Sequence, residues 1–186
     1  MDDVSRIITA LDNGDAQAAS QLLPLVYDDL RRLAARRMAE EAPGQTLSAT
    51  ALVHEAYVRL IAPDVGAQWK HRGHFYFAAA EAMRRILIES ARSKQSQKRG
   101  GQKKRLEMDD LTLGINSPGD DILALNQALT EFEIQYPQAA QLVKLRFFGG
   151  LGHLEAAEAM EVGRRTADRL WVIARTWLYN RLSDDR

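Results

Sequence analysis

Residues 74–105 read HFYFAAAEAMRRILIESARSKQSQKRGGQKKR. The stretch starts aromatic, becomes an amphipathic helix and ends as a basic tail. Met83, Ile86, Leu87, Ser90 and Ala91 recur at helical spacing, so one stripe faces a core. Arg84, Arg85, Arg92 and Lys94 point largely elsewhere. Lys98, Arg99, Lys103, Lys104 and Arg105 follow with no acid among them, and Glu81 and Glu89 are the two acids of the whole stretch. Phe75, Tyr76 and Phe77 set flat faces beside this basic track. Single-stranded nucleic acid needs that combination, because every base has a face to stack and every nucleotide a phosphate to neutralise. The plainer reading is a core helix with a solvated, charged face.

Upstream of this stretch the periods are helical. Val4, Ile7, Ile8 and Leu11 recur at i, i+3, i+4 and i+7, and Asn13-Gly14-Asp15 is a stop followed by an N-cap. Leu22, Leu25, Val26, Leu30 and Leu33 line a helix from Ala16 to about Met38. Pro24 lies inside it and predicts a late start or a kink. Leu52, Val53, Ala56, Tyr57 and Leu60 line a third helix, from about Ser48 to Ile61. Downstream, residues 93–118 are polar and contain glycine, with a short apolar patch of Leu106, Met108, Leu111, Leu113 and Ile115. No sustained period runs through them, so they read as a linker. Helical patterns then resume: Ile122, Leu125, Leu129 and Phe132; Ala140, Leu142, Val143, Leu145 and Phe147 after Pro137; and two more beyond Phe148-Gly149-Gly150. The short β-branched runs fit helical periods better than strands. We expect an all-α protein of two helical domains, residues 1–95 and 121–186, joined by a flexible linker over 96–120.

Composition excludes several classes of function. The chain has no cysteine, which removes disulfide and thiol chemistry and fits a reducing compartment. The N-terminus is acidic, with too short an apolar run for a secretory signal. No run reaches membrane-spanning length. The expectation is a soluble, cytoplasmic protein without membrane insertion. The 25 basic and 25 acidic residues cancel, so any attraction for an anion is local. His54-Glu55 lacks the second histidine of a zinc-protease helix. The histidines, at 54, 71, 74 and 153, have no cysteine to complete a metal site. Gly100-Gly101 before Lys103 lacks the spacing of a phosphate loop. No cofactor, metal or catalytic residue is nominated, and the chain is not expected to be an enzyme.

The last two helices carry the second signal. LEAAEAM, a tight turn at Glu161-Val162-Gly163 and a longer basic helix make a helix-turn-helix. Ala156 and Ala157 are small where the helices cross. In this motif the first turn of the second helix enters the major groove, and here it reads Gly163-Arg164-Arg165-Thr166. Arginine can pair with guanine through two hydrogen bonds, and threonine can reach a base edge or a phosphate. Arg169 and Arg175 suit phosphates. Leu170, Ile173, Ala174 and Trp177 form the expected buried stripe, with Trp171 beside it. One half thus suits single strands and the other suits duplex.

At these residues the chain resembles the extracytoplasmic-function (ECF) sigma factors of bacterial RNA polymerase. It resembles in particular the subfamily with LVHEAY, MRRIL, KRGG, LRFFGGL and AR-x-WL signatures. Those read here as residues 52–57, 83–87, 98–101, 145–151 and 174–178, in order along nearly the whole chain. The resemblance implies an alternative sigma factor that binds core polymerase, recognises promoter minus-ten and minus-thirty-five elements and promotes DNA opening. His54, Glu55 and Arg59 would be the exposed polar groups docking on the clamp helices of the largest subunit. Trp69, Phe75 and Phe77 would stack on or wedge between bases of the minus-ten element. Arg84, Arg85, Arg92, Lys94, Lys98 and Arg99 would track the non-template strand. Arg164, Arg165, Thr166 and Arg169 would read the minus-thirty-five element, with the same domain touching the polymerase flap. An anti-sigma factor or another regulator is a further expected partner.

The chain departs from its relatives at a few places. Many carry asparagine and aspartate where Arg85 and Glu89 stand, a serine cap where Gly163 stands, and an acid and a base where Leu170 and Val172 stand. The rival readings are a helix-turn-helix regulator that binds duplex without polymerase and a helical adaptor working through protein contacts.

Overall fold

The computed structural model describes residues 6, 7, 10, 16–39, 47–61, 72–97, 106–108, 111–115 and 118–184. Helix α1 spans Ala16–Ala39 and continues through Pro24; α2 spans Ala49–Ile61 and α3 Arg72–Gln97. After a small hairpin come α4 (Pro118–Gln135) and α5 (Pro137–Val143), which runs on into a π-helical turn, Lys144–Phe148. Helices α6 (His153–Ala159) and α7 (Arg164–Asp184) complete the chain. The fold is all-α, as the hydrophobic periods predict.

The ends of these helices have local causes. Ser48 caps α2, its hydroxyl accepting the Ala51 N–H at 3.1 Å. Pro137 occupies the first turn of α5, where its missing N–H costs nothing. Glu155 accepts the Gly152 N–H at 2.7 Å and so closes the start of α6.

The expected stripes are buried. Leu52, Val53, Ala56, Tyr57 and Leu60 of α2 lie inside, as do Ile122, Leu125, Leu129 and Phe132 of α4. Helix α3 is the hub. Ala82, Met83, Arg84, Ile86, Leu87 and Ile88 are all buried, so the helix is covered on several sides. It packs against α2 on one side and against α4, the π turn and α6 on others. A helix flanked this way must be apolar over most of its circumference. A single core cluster runs from Val26 and Leu52 through Met83 to Leu129, Phe148 and Leu178. Gly149 admits the closest approach: a Cβ placed there would lie 3.0 Å from the Ala80 Cβ and 2.6 Å from the Leu145 carbonyl.

The segment read as a linker holds structure at two points. Leu106–Met108 (β1) and Leu111–Ile115 (β2) pair antiparallel, with Leu106 opposite Ile115 and Met108 opposite Leu111. Apolar residues at 106, 108, 111, 113 and 115 alternate with period two on each side of residues 109–110, which is a hairpin pattern. Strand β2 runs beside α7. Helix α4 starts at Pro118, inside the span read as linker.

Candidate nucleic-acid interface

The helix-turn-helix is formed by α6, residues 160–163 and α7. Ala156, Ala157 and Ala167 are buried where the two helices meet, and their small side chains let the backbones approach. The turn closes as a Schellman motif. The Val162 N–H donates to the Ala157 carbonyl at 3.0 Å, and the Glu161 N–H donates to the Glu158 carbonyl at 2.9 Å. The motif places Glu161 at φ 55°, a left-handed conformation usually given to glycine. Gly163 then opens α7, its carbonyl accepting from Thr166 and Ala167.

Four side chains tie the π-helical turn and α6 to α7, and the sequence reading did not pair them. The Arg146 guanidinium lies 3.8 Å from the centre of the Trp171 ring. His153 stands edge-on to the same ring, with centroids 6.4 Å apart. The His153 Nε2 is also 2.8 Å from the Asp168 carboxylate of α7. LRFFGGL gave Arg146 a place in a motif, but nothing in its spacing pairs it with a residue 25 positions on.

Arg164, Arg165, Thr166, Arg169 and Arg175 are all exposed on α7, so every residue expected to meet duplex stands on an open surface. One member of the expected buried stripe differs. Ile173 is 39% exposed, because the buried line runs through Ala167, Ala174 and Leu178, and Ile173 lies one residue off it.

On α3 the expected single-strand residues separate. Arg85 and Arg92 are exposed and, seven residues apart, share a face. Glu89 stands between them and is held by Arg59 of α2, at 2.6 and 3.1 Å. The Arg59 hydrogen bond holds the Glu89 carboxyl below the usual range, against the opposing effect of burial. Lys94 is half-buried.

Two of these expected residues are covered in this arrangement. Phe75 is 0% exposed and belongs to the core, since an aromatic on the inner side of the hub helix is covered by its neighbours. Arg84 is 9% exposed. Its guanidinium donates to Asn126 at 2.9 Å and Thr130 at 3.2 Å on α4, lies 3.2 Å from Glu81, and stands 5.9 Å from the Phe148 ring centre. In this arrangement the cation fastens α3 to α4. Phe77 is half-buried and packs against the cluster that supports the helix-turn-helix. Trp69, Lys98 and Arg99 lie outside the described residues.

The expected docking residues form one patch on α2. His54 and Glu55 are exposed. Arg59 reaches Glu55 at 2.7 Å as well as Glu89, and the Glu89 hydrogen bond is the main cause that raises its pKa. His54 stands 5.8 Å from the Tyr27 ring of α1. One ion network therefore joins the α2 patch to the α3 track.

A family model for ECF sigma factors matches residues 1–184. The chain belongs to the ECF sigma factor family. Its role is in transcription initiation, and the family is one of transcription factors rather than enzymes. RNA polymerase core and promoter DNA are the partners that membership implies. No curated protein matches this sigma factor. Among its described residues no helix is long and apolar enough to cross a membrane.

Proposed function

We propose that this ECF sigma factor docks core polymerase through His54, Glu55 and Arg59 on α2, tracks the opened non-template strand with α3, and reads the upstream element with α7. The observation that carries this reading is the start of α7. Arg164, Arg165, Thr166 and Arg169 are together and exposed on a helix braced by α6 and the π-helical turn. On α3 the strand contacts are Arg85, Arg92 and Lys94, continued by Lys98 and Arg99, with Trp69 before the helix as the base-stacking aromatic. The signatures quoted above support a place in the subfamily that shares them. Residues 1–95 act as the downstream-element module, 96–120 as the connection, and 121–186 as the upstream-element module, which also touches the flap. An anti-sigma factor or another regulator would act by covering one of these surfaces.

The two elements, 25 base pairs apart by their names, are about 85 Å apart at 3.4 Å per pair. A compact chain of this length has a radius of gyration of about 16 Å and is about 40 Å across. The arrangement in which α3 and α4 share a core therefore cannot reach both elements at once. Reading both requires the α1–α3 and α4–α7 halves to part, with the polymerase contacts offsetting the lost core.

Docking is tested by size exclusion of the chain with core polymerase. Co-elution is expected for the wild type, and Glu55→Ala together with Arg59→Ala should reduce it at least tenfold in apparent affinity (about 1.4 kcal/mol). Co-elution unaffected by the pair would remove the α2 patch from the proposal.

A further inference from the structure

The proposed reading of the upstream element leaves Val172, an exposed apolar side chain in line with the α7 arginines, without a task. Val172 is 64% exposed, while Ala167, Ala174 and Leu178 pack the opposite side of the helix. Arg165, Arg169 and Val172 stand at i, i+4 and i+7, so one face presents two guanidinium groups followed by two methyl groups. A single apolar residue on a surface needs no explanation by itself. This one continues the line of the arginines on the helix that the motif sends into the groove. Asp168, one turn before it, lies 2.8 Å from the His153 Nε2 on α6, so its carboxylate is turned toward the protein.

The positive charge around Val172 selects a polyanion as the occupant of this face. On the major-groove floor the apolar group offered to a protein is the C5-methyl of thymine. Valine suits that contact because its β-branch leaves one strongly preferred rotamer in a helix, so the methyl groups are held in place before binding. Seven residues at 1.5 Å each put Val172 about 10 Å beyond Arg165, which corresponds to about three base pairs along the groove.

We propose that Val172 is a specificity residue of this sigma factor, packing on a thymine methyl about three base pairs from the pair read by Arg165. The proposal rests on the sigma-factor reading above and on α7 entering the major groove.

The test uses the full chain bound to core polymerase and a duplex library randomised over the upstream segment. In the selected element each thymine is replaced in turn by deoxyuridine, which removes only the methyl group. At one position the replacement should weaken wild-type binding about fourfold, the worth of one buried methyl. Val172→Ser should be indifferent to that replacement and bind the thymine element as weakly as the wild type binds the deoxyuridine one. Val172→Ile should keep the preference. Equal sensitivity of wild type and Val172→Ser at every thymine would overturn the proposal. So would a selected element without thymine, or a Val172→Ser chain that reads DNA normally but no longer co-elutes with polymerase, since Val172 would then face protein. If the wild type selects no element and Arg165→Ala behaves identically, the sigma-factor reading fails with it.

Discussion

Glu161 pays a backbone penalty that a smaller residue would not. Its left-handed φ costs a residue with a Cβ of order 1 kcal/mol, and the Schellman bonds around it hold it there. Glu161→Gly should therefore raise stability by up to about 1 kcal/mol in urea or thermal melts, reduced somewhat by the added freedom of the unfolded chain. Loss of stability would mean that the glutamate side chain supplies something the backbone argument omits. Glu155 makes a second prediction at this scale. Its carboxyl is held below the usual range, first by the Gly152 N–H and then by Arg36 of α1 at 2.9 Å, with burial opposing. A depressed folded-state pKa adds stability above the ordinary carboxyl range, and that stability disappears as pH falls through the lowered value. Glu155→Gln should flatten the acid limb of the stability–pH curve. An unchanged limb would assign the acid sensitivity to other carboxylates. The covered residues teach the same lesson. Phe75 and Arg84 have residue types suited to DNA, and type alone does not say which side of a helix is covered.

Among the elements, the helices were legible because their cores repeat with helical period: every residue of the Leu52–Leu60 stripe is buried where it was expected. The helix-turn-helix was legible from two small alanines, a turn and an arginine pair. The hairpin was not, since five apolar residues over ten positions fit more than one period and pairing is decided only when two strands meet. Nor was the contact of α3 with α4. Arg84 finds Asn126 and Thr130 across more than forty residues, and neither has a local signal that marks it as a partner. On α7 the arginines should divide by position. Arg165→Ala should cost about 1–3 kcal/mol in duplex binding and relax the sequence preference. Arg175→Ala should weaken all duplexes alike and reduce the log–log salt slope by about 1. Equal effects of both on every sequence would argue that α7 only neutralises phosphates.

For the whole molecule, the balance lies between a closed chain whose halves share a core cluster and a chain long enough to span two promoter elements. Among the described residues the closed form is fastened, besides the core, by Arg84 on α4, by Lys144 between Glu133 and Glu81 at 2.7 and 3.4 Å, and by Arg36 and Arg32 on Glu155. Because the chain has no cysteine, labels can be placed at will. With Gln21→Cys on α1 and Ser183→Cys on α7, both exposed, energy transfer should be high in the free chain and fall when core polymerase and promoter DNA are added. Unchanged transfer would mean that the chain acts as one rigid body and reads one element at a time. The central claim is that this chain directs polymerase to promoters through α7. It is tested most directly by reconstituting it with core polymerase on DNA fragments from its own genome and mapping the transcript starts. The account predicts a discrete set of starts, absent with core alone and lost with Arg165→Ala although that variant still binds polymerase. Starts that persist with Arg165→Ala, or none with the wild-type chain, would contradict it.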